Sequence, residues 1–140
     1  MVMPQWIKIT FKVTNTMNKE SETLLDKWVR KVNHGGLDEI LSLYSETASF
    51  FPTFCKELKS SDDRELYFKG LKSKSGLKVE TNDDQMTKCI AGNIWVAYGT
   101  YTFSYAENDQ VVKYPSRYTI IYDLSFDKPI LHHHSSIIPL

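Results

Sequence analysis

The stretch Ile130-Leu-His-His-His-Ser-Ser-Ile-Ile-Pro139 holds most of the side chains in this sequence that could do chemistry. Three imidazoles and two hydroxyls interrupt an aliphatic run that otherwise reads as a strand, and polar groups rarely fill the middle of such a run unless something needs them. Period-two alternation puts Leu131, His133, Ser135 and Ile137 on one face and His132, His134 and Ser136 on the other. One His–Ser pair therefore points into the fold and the other away from it. In a low-dielectric interior, neutral imidazole and hydroxyl groups must find partners, and the neighbouring strand offers Arg117 and Thr119. An imidazole titrating near neutral pH could also act as a general base. Three plainer uses stand beside that one. The histidines could hydrogen-bond across a sheet, or they could be a tag remnant, although tags are normally terminal and unpatterned. They could also bind a metal, but His132 and His134 supply only two ligands and no carboxylate follows at a suitable spacing.

The elements that must position this strand can be read upstream. A helix capped by Asn18 or Ser21 carries Leu24, Leu25, Trp28, Val29 and Val32 as one apolar stripe, and Gly35-Gly36 ends it in the left-handed conformation glycine accepts. A shorter helix places Leu37, Ile40, Leu41 and Tyr44 on one side. A third begins near Ser60 or Ser61, with Asp62 and Asp63 in its first turn and Leu66, Tyr67, Phe68 and Leu71 inside. After Gly76 the period changes to two. A weak strand spans 77–87, is interrupted at Asn82-Asp83-Asp84, and could extend through Cys89 and Ile90. Strands follow over 94–105, 111–124 and 130–138, with turns at Asn108-Asp109 and Asp127-Lys128-Pro129 and a bulge or edge at Pro115. In the third of these four strands Arg117, Thr119, Ile121 and Asp123 share one face, and Tyr118, Ile120, Tyr122 and Leu124 the other. Helices followed by a hairpin-connected meander predict an α+β fold, with N-terminal helices packed on one face of a curved antiparallel sheet and a cavity at its open end.

Composition removes several classes of function. The 140 residues predict one domain at 19–140, preceded by an arm at 1–18 in which Ile7, Ile9, Phe11 and Val13 alternate as a further strand. That arm could equally lie upstream of the natural start, since Met17 precedes the patterned region. Seventeen basic residues balance seventeen acidic ones, so no electrostatic footprint for nucleic acid or an anionic membrane is expected. No apolar run reaches the ~18 residues of a spanning helix, and the N-terminus lacks a signal-peptide core, which makes the cytoplasm the default location. Cys55 and Cys89 form no CxxC pair and read as two buried free thiols in a reducing compartment, though a disulfide between them stays open.

Phe51-Pro-Thr-Phe54, Tyr67-Phe68, Gly99-Thr-Tyr-Thr-Phe103, Arg117-Tyr-Thr119 and His133-His-Ser-Ser136, in that order and spacing, resemble the calcium/calmodulin-dependent protein kinase II association domain family. More narrowly, they resemble its free-standing bacterial members with an HHSS signature, which the iota-class carbonic anhydrases share. The likeness covers about Lys19 to Pro139. It implies a nuclear transport factor 2-like (cystatin-like) cone that self-associates through its sheet as a homodimer or larger homo-oligomer. It also implies a site for carbon dioxide or bicarbonate at Thr53, Tyr67, His133 and Ser135, with Arg117 and Tyr101 as substrate-binding residues. Some such anhydrases work without metal, which is the expectation here; manganese, or zinc, is the ion a metal-dependent member would take. The chain departs from the family where Lys128-Pro129-Ile130 replaces a tryptophan, and where Phe54-Cys55 follows the Pro-Thr pair.

On that reading His133 takes a proton from water while Thr53, Tyr67 and Ser135 donate hydrogen bonds to the carbonate oxygens. Two rivals remain. One is a non-catalytic oligomerisation or small-anion-binding module, whose sheet interface would use Tyr118, Ile120 and Tyr122 or their neighbours. The other is an isomerase or dehydratase with Asp123 or Asp26 as its base.

Overall fold

The computed structural model describes residues 22–58 and 60–139. The predicted arm, its strand and the caps at Asn18 and Ser21 lie outside the described residues. The order is α1 (Leu24–His34), α2 (Leu37–Leu41), β1 (Tyr44–Phe51), α3 (Ser61–Lys72), β2 (Lys78–Thr81), β3 (Met86–Ala91), β4 (Ile94–Glu107), β5 (Gln110–Asp123) and β6 (Ile130–Ile137).

Helix α1 has its cap two residues past the later of the two caps the sequence suggests. Thr23 is its cap, accepting from the Asp26 amide, and Leu24, Leu25, Trp28 and Val32 are buried as their spacing requires. Gly35 closes it in an extended rather than a left-handed conformation, with φ −93°. Glycine is needed there because a Cβ would lie 2.9 Å from the Lys31 carbonyl oxygen. Helix α3 is capped by Ser60 as expected, but it turns Leu66 outward and buries Arg64 instead. The Arg64 guanidinium donates to the carbonyls of Ser45, Glu46 and Ala48, tying the helix to β1.

The sheet runs β1-β6-β5-β4-β2, with β3 also paired to β4. It is antiparallel except at its β1 edge, where β1 lies parallel to β6 with Phe50 opposite His133. Strand β1 is absent from the sequence reading, which assigned Tyr44 to a helix. Only Ala48 and Phe50 alternate clearly against a polar Ser-Glu-Thr segment, so the period-two signal is faint there. The weak strand at 77–87 resolves into β2 and β3, broken where the Asn-Asp-Asp run falls, and β3 takes in Cys89 and Ile90. Asn108 and Asp109 both adopt positive φ, 53° and 64°, the turn whose twist suits a two-residue hairpin. Pro115 sits where β6 runs out: its carbonyl accepts from Ile138, the reciprocal bond has no donor, and the β5–β6 ladder ends there.

The inner face of the sheet carries Tyr101, Phe103, Tyr118, Ile120, Tyr122 and Ile130, which close against Trp28, Tyr44, Phe50 and Phe68 in one core. Tyr118, Ile120 and Tyr122 are therefore core residues, so of the two sets the sequence offered for an interface only their neighbours are on the outer face. Their neighbours Arg117, Thr119 and Ile121 face outward. Cys55 and Cys89 are free thiols, as expected, but exposed ones.

Candidate functional site

Strand β6 enters the sheet with an irregularity at Leu131. Tyr122 is opposite Ile130 while Ile121 is opposite His132, so alternation is shifted by one residue there. Ile130 joins the core in place of Leu131. From His132 onward strict alternation holds, and His133 and Ser135 are the inward pair, 0% and 3% exposed.

A single chain of hydrogen bonds runs through them. Indole Nε1 of Trp28 lies 3.0 Å from the Tyr44 hydroxyl, which lies 2.7 Å from His133 Nδ1. His133 Nε2 is 3.1 Å from the Tyr101 hydroxyl, and Tyr101 donates to Ser135 Oγ at 2.7 Å. Ser135 Oγ meets Thr53 Oγ1. The direction of the chain follows from its first member. An indole N–H can only donate, so the Tyr44 oxygen accepts from it. The Tyr44 hydrogen then has one buried acceptor available, the bare Nδ1 of His133. His133 is consequently the Nε2–H tautomer and donates to Tyr101. Tyr101 donates to Ser135, Ser135 to Thr53, and the Thr53 hydrogen is left for whatever lies beyond. The opposite direction would strand a buried hydrogen at Tyr44, and such a group costs on the order of 1–3 kcal/mol.

Packing holds each link in place. His133 stacks on Phe50 at 4.8 Å and meets the Trp28 edge at 5.3 Å, while Tyr101 lies between Trp28 at 5.5 Å and Tyr118 at 4.7 Å. Ser116, opposite Tyr101 on β5, carries a small side chain and leaves room for the phenol to cross beneath β5 toward β6. Thr53 arrives because β1 runs parallel to β6. With Phe51 opposite His134, the residues just past the end of β1 lie level with Ser135. Thr53 is half-buried, and it alone in the chain has access to solvent.

Burial decides the charge states. Desolvation pulls the His133 pKa down to about 3, and His132 and His134 add to that effect. Burial also holds the phenols of Tyr44, Tyr67 and Tyr101 well above their ordinary range. Near neutral pH the whole chain is uncharged. His133 has neither a free lone pair nor contact with water, so the sequence-based role of proton-accepting base does not fit it. The same bonds leave neither His133 nitrogen free for manganese or zinc, and among the described residues no group of three His, Cys, Asp or Glu could hold an ion.

The other predicted site residues separate. Tyr67 is outside the chain, edge-on to Phe50 and Phe68, and lines a cavity of about 440 Å³ with Phe54, Cys55, Lys74 and Tyr105 at the mouth of the sheet. Arg117 is on the opposite face altogether. Residues directly opposite share a face, and Arg117 is opposite Ser136, not Ser135. The partners expected for the inward pair, Arg117 and Thr119, are thus replaced by Tyr44 and Tyr101. Asp123 accepts from Ser125 in a turn, and Asp26 sits in the first turn of α1, so neither serves as a pocket base. Sequence reasoning missed Trp28 and Tyr44. Both sit on apolar stripes, where an aromatic reads as core.

Comparison with solved structures separates this fold from other α+β arrangements. A candidate calcium/calmodulin-dependent protein kinase II association domain from Xanthomonas campestris superposes with a TM-score of 0.73 at 27% identity, covering 83% of this chain and 84% of that one. The fold is nuclear transport factor 2-like, that is, cystatin-like. A cystatin-like protein from Caulobacter vibrioides gives 0.69 at 15% identity, over 91% of each chain. A nuclear transport factor 2-like protein of unknown function from Pseudomonas putida gives 0.66 at 14%, over 91% of this chain and 87% of that one. No family model matches the sequence, and no curated protein does. Among the described residues no helix is long and apolar enough to cross a membrane.

Proposed function

We propose that this chain binds a small ligand through a hydrogen-bond-accepting oxygen, of the bicarbonate or small-carboxylate class, at the Thr53–Ser135 end of the buried chain. The observation that carries this reading is the direction of that chain. Beginning at an indole that can only donate, five successive bonds end in a threonine hydroxyl with its hydrogen uncommitted at the half-exposed end. Fixed donors of this kind favour an anionic or carbonyl oxygen, because no reorientation is needed when it arrives. His133 is the positioning residue that sets the order of the donors.

Carbon dioxide hydration is the catalytic form of the proposal, favoured by the convergence of Thr53, His133 and Ser135, three of the four residues the resemblance to iota-class anhydrases assigns, with Tyr101 beside them and Tyr67 apart. It needs in addition a group that removes a proton from water, and a neutral, doubly bonded His133 does not supply one. Binding is therefore the reading the geometry supports best. Amide shifts on titration with bicarbonate, with Ser135→Ala and Thr53→Val as controls, test it. Saturable shifts centred on Thr53 and Ser135 that vanish in both variants support the proposal, and no saturable shift there refutes it. Stopped-flow hydration on the same protein separates binding from turnover.

A further inference from the structure

The outer face of the sheet holds a second polar cluster that the proposed ligand site does not use. Strands β4, β5 and β6 each contribute two residues to it, in register. Tyr98 is opposite Thr119, which is opposite His134; one step along, Thr100 is opposite Arg117, which is opposite Ser136. The result is a patch of six side chains, two by three, with no aliphatic member, bordering an open cavity of about 480 Å³. Cross-strand neighbours in such a grid stand roughly 5 Å apart, so groups from several of them can reach one small ligand.

Its groups are poised to donate. Arg117 makes no ion pair among the described residues, and its one hydrogen bond there is a long one, from Nε to Ser136 Oγ at 3.4 Å. The two terminal nitrogens of the guanidinium are thus uncommitted, and His134 and Thr119 stand beside them. Lys88 adds a further positive charge near the rim, 5.9 Å from the centre of the Tyr98 ring. The nearby carboxylate, Asp84, is already occupied: it accepts from the Thr100 amide at 3.0 Å and from the Thr100 hydroxyl at 2.6 Å. Asp84 therefore keeps its negative charge on one wall of the cavity, but it makes no ion pair with Arg117, whose terminal nitrogens stay free. A planar guanidinium with two free nitrogens, flanked by an imidazole and hydroxyls, matches the bidentate geometry of a carboxylate or phosphoryl group.

We infer that this outer patch is a second binding site, for the oxyanion group of a small ligand, with Arg117 as the anchor and His134, Ser136 and Thr119 as supporting donors. It lies across the sheet from Thr53 and Ser135 and is independent of the ligand proposed for them.

The test is amide-shift titration of the full chain at neutral pH with inorganic phosphate and, separately, with acetate. The two arms distinguish a phosphoryl ligand from a carboxylate one. The expected result is saturable shifts at Arg117, Thr119, His134 and Ser136 with at least one of the anions. Arg117→Gln should weaken that binding about tenfold or more, with Arg117→Lys intermediate because it keeps the charge and loses the fork. Arg117 is exposed, so these variants should keep the dispersed spectrum of the folded protein, and His134→Gln gives an independent second loss. The inference is overturned if neither anion saturates, if the shifts centre on Thr53 and Ser135 instead, or if Arg117→Gln and His134→Gln both bind like the parent.

Discussion

Replacing Tyr44 by Phe removes one oxygen atom from the centre of the buried chain and leaves the ring packing intact. Tyr44 is 1% exposed, and its ring contacts Phe50 at 5.3 Å, Phe68 at 5.6 Å and His133 at 6.0 Å, all of which a phenylalanine can keep. The cavity contribution is therefore small. What is lost is the acceptor of the Trp28 N–H and the donor to His133 Nδ1, and both groups remain buried without a substitute. At about 1–2 kcal/mol for each orphaned neutral group, the cost should be about 2–4 kcal/mol. For a chain of this size that lowers Tm by roughly 10 °C. Denaturant and thermal unfolding followed by circular dichroism measure it. Adding Trp28→Phe removes one of the two orphans, so the double variant should lose less than the two single losses added together. A Tyr44→Phe loss below about 0.5 kcal/mol would mean that the hydroxyl is not a committed link, and the directional argument would fail with it.

Three further outcomes are expected. Folded His133 resists protonation down to about pH 3 whereas the unfolded imidazole titrates near 6.5, so the unfolded state binds more protons between those values. Stability should then be complete above about pH 6.5 and fall on acidification at on the order of 1.4 kcal/mol per pH unit, a slope that His133→Gln should flatten in pH-dependent denaturant unfolding. Arg64→Ala should cost about 2–4 kcal/mol in the same assay, because the carbonyls of Ser45, Glu46 and Ala48 lose their shared donor. Gly99→Ala should cost about 1–3 kcal/mol, because the new Cβ would stand 3.0 Å from the Tyr118 hydroxyl and 3.1 Å from the Asp84 backbone oxygen; a neutral result would mean that the 82–85 turn yields easily.

The helical stripes, the β4–β5–β6 meander and the shared face of His133 and Ser135 were legible because periodicity is a local property; that this face looks inward was implied by the resemblance and not by alternation. Strand β1 was not, since a short polar segment becomes a strand only when β6 lies beside it, and parallel pairing leaves no hairpin signal in the sequence. That one omission concealed how Thr53 reaches Ser135. Trp28 and Tyr44 were hidden for another reason: on an apolar stripe, the ring announces itself and the polar tip does not. Arg117 was misplaced because alternation says which residues share a face but not which face looks inward; the register opposite Ser136 supplies that, and only the folded sheet contains it. The proton-accepting role given to His133 failed on burial. Residue type suggests a pKa near neutrality, and the surrounding rings of Trp28, Tyr44 and Phe50 remove the water that would support the charge.

Long-range proton–nitrogen correlation spectra of the four histidines, taken near pH 7 and again near pH 5, test the directed chain most directly. His133 should appear at both values as one neutral tautomer, its proton on Nε2 and its Nδ1 accepting a strong hydrogen bond. A proton on Nδ1, averaging between tautomers, or conversion to imidazolium by pH 5 would contradict the account.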